Sequence, residues 1–396
     1  MTVTQLLHIV YFVCRGNFRS CLFQNIMDKA FFFLFFVLIS IYPINPSVSP
    51  EDFAKSIRLN DIQVIGSHNS YKIAIERPLL DYLFKRDSAT GRSLQYEHPP
   101  LTEQLDLGLR SLELDVYYDP KGGHYSNPAG LDIVRKSGNT PLPFDLNERL
   151  NVPGLKVFHV QEVDFRSNQL LFKDALSELK AWSDKNANHT PIIVTINAKD
   201  GEIPNTRKPL VFDTDALKSI DSEIRSIFPE GKLVTPDLVR GNRNTLEDAV
   251  LNDGWPELSN IEGKFLFVLD EVGEKLERYL QVFPKLKGAA MFVNQTEGNP
   301  EAAFRICNDP IADFNKIKEL VTLGYMVRTR SDADTQEART IDYSKFEKAK
   351  ASGAQVITTD YYLPSKLFES DYKVSLRMVR MNVSRNNVKF WLVVNY

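Results

Sequence analysis

Cysteine is scarce in this chain of 396 residues: Cys14, Cys21 and Cys307 are all it has. Removal of an N-terminal leader leaves Cys307 alone, which excludes an internal disulfide framework and puts the burden of stability on a large apolar core. Charge of either sign is not in excess, with 48 Lys and Arg against 51 Asp and Glu and a formal net charge of −3. That balance gives no electrostatic case for nucleic-acid binding, and the lack of a long basic run gives none for permanent attachment to a membrane. No apolar run reaches the roughly 20 residues that a spanning helix requires. No repeat or low-complexity linker divides the chain, and the apolar fraction, 43%, is that of an ordinary globular protein.

What is present begins with Ala30–Tyr42, an uncharged apolar run preceded by Met27-Asp28-Lys29. Residues 27–48 read as a signal peptide, with a retained signal anchor as the rival reading, and the protein as secreted. Residues 1–26, with their own apolar patch from Leu6 to Cys14, read as an upstream extension. Residues 49–370 then form the main domain, and 371–396 a tail without a clear period. Glycosylation sequons at Asn188, Asn294 and Asn382 are compatible with secretion but arise readily by chance. Asn294 ends an expected strand and reads as too enclosed for a glycan.

Past the leader, short apolar runs read as strands: Ile62–Ser67, Ser111–Tyr117, Leu155–Val160, Pro191–Ile196, Phe265–Asp270, Ala289–Asn294, Tyr325–Arg330 and Gln355–Thr359. Helical patterns lie between several of them, at Gln169–Lys185, Asp215–Phe228, Ile311–Leu323 and Tyr343–Ser352. Eight strands alternating with helices predict an α/β fold of the TIM type, a closed (β/α)8 barrel. Two long insertions, Lys72–Pro100 and Tyr118–Gly154, leave the C-terminal ends of the first two strands, where barrel enzymes build their sites.

The residues suited to chemistry fall at those same ends. Gly66-Ser67-His68-Asn69-Ser70-Tyr71 follows the first strand, Glu113 and Asp115 lie on the second, and His159 ends the expected third. Two histidines in one cleft divide acid–base labour, one removing a proton from an attacking hydroxyl and the other protonating a leaving oxygen. Side chains two apart on a strand share a side, so Glu113 and Asp115 point together. Two such carboxylates need a cation between them or a raised pKa; a hard divalent ion answers that need, and Asn69 and Asn197, each at a strand end, add neutral oxygens suited to calcium or magnesium. Lys199, Arg328 and Arg330 are the candidate substrate-binding cations. Arg328 or Arg330 offers a planar fork for a phosphate, with a salt bridge to Asp332 or Asp334 as the structural alternative. His98, His124 and His189 lie in loops without such partners and read as surface residues.

Together, Gly66-Ser67-His68-Asn69-Ser70-Tyr71, Leu112-Glu113-Leu114-Asp115 and Phe158-His159 resemble the catalytic core of the calcium-dependent, phosphatidylinositol-specific phospholipase C superfamily, in its secreted, single-barrel, microbial-type branch. Arg328–Thr335 and Gly353–Tyr361 resemble the seventh and eighth strand ends of that branch. The resemblance covers roughly Ile57 to Leu367. It implies that His68 acts on the phosphoryl group, that His159 protonates the leaving alcohol, and that Asn69, Glu113 and Asp115 bind calcium. Asn197 stands where the eukaryotic signalling enzymes carry a glutamate ligand, a departure that removes a negative charge. No pleckstrin-homology or EF-hand module is recognisable.

The expected reaction is phosphodiester cleavage of a phosphatidylinositol-type lipid, with Glu113 or Asp115 as the base and diacylglycerol and a cyclic inositol phosphate as products. Calcium is the expected cofactor and magnesium the runner-up. The expected partner is a phospholipid or other phosphodiester at a membrane surface. The alternatives are a glycerophosphodiester hydrolase, a sphingomyelinase-D-like lipase and, from another class, a non-catalytic barrel that binds anionic lipid head groups.

Overall fold

A computed structural model describes residues 57–203 and 206–376 of the chain. The expectations for residues 1–48 and for the tail beyond residue 376 lie outside the described residues. Among the described residues nine strands form one sheet: β1 (Val64–Ser67), β2 (Ser111–Tyr117), β3 (Lys156–Val157), β4 (Ile192–Ala198), β5 (Phe265–Leu269), β6 (Met291–Val293), β7 (Phe304–Ile306), β8 (Met326–Arg330) and β9 (Val356–Thr359). Their order is β6-β5-β4-β2-β1-β9-β8-β7, and a parallel bridge from Asn294 to Phe304 joins β6 to β7 and closes the ring. Eight parallel strands with helices outside them make the expected (β/α)8 barrel.

One expected barrel strand is not one. Within Leu155–Val160 only Lys156 and Val157 are extended, and they run antiparallel to β2, pairing Val116 with Val157 and Tyr117 with Lys156. Val116 also pairs with Ala198 of β4, so β3 occupies the other edge of β2, the edge that β1 leaves after its single register pair, Gly66 with Ser111. The segment carrying His159 is therefore a flap wedged between the splayed tops of β1 and β2. The eighth barrel member is β7, whose three residues are too few to show a period in the sequence.

Register explains why the polar residues of these strands share the lumen. Alternation on β2 sends Leu112, Leu114 and Val116, all fully buried, outward to the helices, and leaves Glu113 and Asp115 inside. Asp115 pairs with Asn197 on β4, Arg330 on β8 pairs with Thr358, and Thr358 pairs with Gly66. Two-residue steps along those ladders carry Glu113, Asp115, Asn197, Arg328 and Arg330 to the same inner face as Gly66 and His68. Gly66 is required there, since a Cβ would stand 2.5 Å from that of Ser111.

The outer layer forms where the sequence pattern places it, in helices Phe172–Lys185, Thr214–Ile227, Phe314–Leu323 and Ser344–Ser352. Asp213 caps the second by accepting from the Ala216 amide. Phe172, Leu176 and Leu179 from the first join Leu112, Leu114 and Val116 in the main core, each burial contributing roughly 1.5–3 kcal/mol. The two long insertions pack on each other through a second cluster that includes Leu79, Leu80, Leu131, Val134 and Phe165. Among the described residues no helix is long and apolar enough to cross a membrane.

Candidate active site

The C-terminal mouth holds a cavity of about 180 Å³ lined by His68, Asn69, Glu113, Asp115, His159, Asn197, Lys199, Asp270, Asn308, Arg328 and Arg330. All nine residues singled out from the sequence are among them. Asp270 and Asn308 were not, although Asp270 closes the run read as the fifth strand.

Each histidine is held at Nδ1 by an aspartate that sequence reasoning missed. His68 Nδ1 lies 2.9 Å from Asp360 Oδ1, and His159 Nδ1 lies 2.8 Å from Asp164 Oδ2. Asp164 returns to His159 because Val160 and Asp164 exchange two backbone hydrogen bonds, closing a tight turn. Burial would raise the Asp164 carboxyl, but the Lys72 ammonium, 3.2 Å from Oδ1, and His159 hold it below its ordinary value. It is thus a carboxylate, and His159 Nδ1–H donates to it. At His68, Arg330 Nη1 lies 3.3 Å from Nε2. Arg330 Nη2 also lies 3.4 Å from Nδ1, so the guanidinium does not distinguish the two nitrogens; the shorter contact of Nδ1, to Asp360, assigns the ring proton there and leaves Nε2 to accept. Burial, then Arg330, push the His68 pKa well below the ordinary histidine value, consistent with a neutral ring.

Arg330 keeps its charge against burial because Asp360, Asp332 and Glu113 surround it. Its Nη2 lies 3.3 Å from Asp360 Oδ2, and its Nε donates to the Asp332 carbonyl at 3.0 Å. Asp332, the expected structural partner, thus contacts it through the backbone. Arg328 is almost fully buried; it pairs with Glu113 Oε2 and donates to Asn308 Oδ1 at 2.8 Å. Lys199 Nζ lies 3.3 Å from Asp115 Oδ2. Burial raises the Asp270 pKa to about 6, with Glu113 and Asp115 adding to the shift and Arg328 opposing it.

Among the described residues no three His, Cys, Asp or Glu side chains converge as a metal cluster. The calcium donors expected here are mixed, two carboxylates and two amides, and all are hard oxygens. Asp115 Oδ2 is buried and has no hydrogen-bond partner, only the Lys199 ammonium beside it. Asn197 Nδ2 reaches Glu113 Oε1 at 3.1 Å and Asp115 Oδ1 at 3.0 Å, so its amide is already aimed between the two acids. A half-turn of that amide presents its oxygen to the same point, an arrangement two carboxylates tolerate only around a cation. Asn69 is fixed by donation to Tyr96 Oη at 2.6 Å, and its Oδ1 accepts from Tyr71 Oη at 3.2 Å. The donor set fits a hard divalent ion.

Two of the other histidines are not on the surface. His98 and His189 are buried, and both rings use both nitrogens: His98 toward Tyr362 Oη and the His68 carbonyl, His189 toward Ser183 Oγ and the Thr190 carbonyl. Asn294 is buried as the sequence suggested.

The family described as phosphoinositide phospholipase C, Ca2+-dependent, matches residues 57–387. Among solved structures, the chain is similar to a calcium-dependent phosphoinositol-specific phospholipase C from Pseudomonas sp, at 17% identity and a TM-score of 0.48, covering 79% of this chain and 93% of that one. It is also similar to a Ca2+-dependent phosphatidylinositol-specific phospholipase C from Streptomyces antibioticus, at 18% identity and a TM-score of 0.48, covering 79% and 98%. The phosphatidylinositol-specific phospholipase C from Listeria monocytogenes matches at 14% identity and a TM-score of 0.42, covering 77% and 90%. No curated protein matches the chain.

Proposed function

Since the chain belongs to the Ca2+-dependent phosphoinositide phospholipase C family, and is thereby a phosphoric diester hydrolase, we propose that its two histidine–aspartate pairs cut phosphatidylinositol by intramolecular attack. The observation that carries this reading is the pairing of His68 with Asp360 and of His159 with Asp164 across one cavity.

The inositol 2-hydroxyl attacks phosphorus while its proton passes to Nε2 of neutral His68. The bond to the diacylglycerol oxygen breaks as His159, entering the step as the imidazolium with Nδ1–H on Asp164, delivers its Nε2 proton to it, leaving diacylglycerol, a cyclic inositol phosphate and a neutral His159 ring. Sequence reasoning assigned the base to Glu113 or Asp115. Glu113 is engaged by Arg328 and Asn197, and Asp115 by Lys199 and Asn197, which favours His68. Asp360 keeps the His68 ring in the tautomer with Nε2 free to accept, and each aspartate stabilises the imidazolium form of its histidine. Arg330, Arg328 and Lys199 line the cavity as the cations suited to the phosphoryl charge.

Calcium, held by Asn69, Glu113, Asp115 and Asn197, supplies Lewis-acid stabilisation of phosphoryl charge and a lowered hydroxyl pKa when bound. The family's dependence is on calcium, and nothing favours magnesium. Membership favours this substrate over a glycerophosphodiester or sphingomyelin. Secretion rests on the Ala30–Tyr42 run alone, and N-terminal sequencing of protein recovered from medium tests it. For the chemistry, His68→Ala and His159→Ala assayed on phosphatidylinositol with calcium are expected to lose on the order of 10²- to 10⁴-fold in rate while remaining folded. Full activity in either variant removes the proposal.

A further inference from the structure

The turn that presents the site's first histidine is strained. Asn69 has φ +47°, in the left-handed region, which asparagine enters more readily than most side chains but which remains disfavoured beside the ordinary helical and extended regions. The amide of His68 donates to the Thr359 carbonyl at 3.2 Å, and the Asn69 carbonyl accepts from the Lys72 amide at 2.9 Å. Between them, the His68 carbonyl has a single side-chain partner, His98 Nε2 at 2.8 Å.

His98 is itself built in. It is 5% exposed, and its amide donates to the Lys72 carbonyl at 2.9 Å. A carbonyl only accepts, so Nε2 carries the ring proton, and Nδ1 accepts from Tyr362 O–H at 3.1 Å. The ring stacks on Tyr362 at 5.4 Å and 14°. It also meets Tyr96 edge-on at 5.9 Å, and Tyr96 is the phenol that fixes the Asn69 side chain. His98 does not line the site cavity; it lines a separate cleft together with Tyr96, Asp360 and Tyr362.

We propose that His98 is a positioning residue: its Nε2–H holds the His68 carbonyl, and with it the left-handed turn that aims the His68 ring and the Asn69 amide into the site. It needs the neutral ring with the proton on Nε2, which Tyr362 secures by donating to Nδ1. A phenylalanine fills the same space and keeps the stack but cannot hold the carbonyl, whereas a glutamine amide restores a donor.

The proposal rests on the reading of His68 as a catalytic group. His98→Phe, His98→Gln, Tyr362→Phe and His68→Ala are compared on phosphatidylinositol with calcium, with thermal unfolding of each protein. His98→Phe is expected to lower kcat about 10- to 100-fold with KM within about two-fold, and His98→Gln to recover most of the loss. The NMR resonance of the His68 Nδ1 proton is expected to shift or broaden in His98→Phe and return in His98→Gln. Tyr362→Phe keeps His98 and is expected to show a smaller kcat loss in the same direction; if His98→Phe does not fold, that variant and His98→Gln decide the matter. A kcat of His98→Phe within about two-fold of the parent, or a His98→Gln loss equal to that of His98→Phe, overturns the proposal. So does an unperturbed kcat in Tyr362→Phe should that comparison be needed. An active His68→Ala protein instead overturns the reading beneath it.

Discussion

Asp360 Oδ1 stands 2.9 Å from Nδ1 of His68, and the other oxygen of the same carboxylate faces Arg330 Nη2 at 3.3 Å. One buried carboxylate thus fixes the tautomer of the ring and the position of the nearest guanidinium. Burial raises the Asp360 pKa and Arg330 opposes the rise. Asp360→Asn keeps the shape and removes the charge. Its kcat is expected to fall on the order of 10²- to 10⁴-fold with little change in thermal unfolding, and Asp164→Asn is expected to do the same through His159. Steady-state kinetics on both variants check this, and rates within about three-fold of the parent contradict it.

The Lys72–Asp164 pair is fully buried on both sides, with Lys72 also donating to the Tyr96 carbonyl at 3.1 Å. Lys72→Met leaves the Asp164 charge without its main partner, and breaking a buried pair from one side costs roughly 3–5 kcal/mol. Denaturant unfolding is expected to show a loss of that order, accompanied by lower activity because Asp164 orients His159. A protein as stable as the parent would show that Asp164 is solvated by other means.

Acid should destabilise the fold through His189. Burial lowers its pKa from the ordinary 6.5 to about 4. The unfolded chain therefore takes up this proton before the folded one does, so the contribution is complete above about pH 6.5 and is lost as pH falls toward 4. It amounts to on the order of 2–3 kcal/mol. Unfolding free energies of the parent and His189→Gln, measured between pH 7 and 4.5, are expected to converge as pH falls. Parallel curves contradict the assignment.

The barrel was largely legible because seven of its strands are apolar runs bounded by breaks, and β2 matches its expected span residue for residue. The exception is instructive: Leu155–Val160 is as apolar as a barrel strand, yet β3 pairs antiparallel at the rim, and a run's hydrophobicity does not report the direction of its partner. The ligand-like and cationic side chains could be read because period two and strand ends locate them. Their supports could not. Asp360 meets His68 only when β9 closes beside β1, and His98 sits in a loop whose burial depends on Tyr96 and Tyr362. Asp164 is local, five residues past His159, but only the turn at Val160 brings it back.

The most direct test of the account is phosphorus NMR of phosphatidylinositol turnover by the purified protein, with calcium and then with chelator. The predicted result is a cyclic inositol phosphate signal that appears with calcium, disappears with chelator, and is lost in both His68→Ala and His159→Ala. A non-cyclic first product, or turnover at the parent rate in either variant, would contradict it.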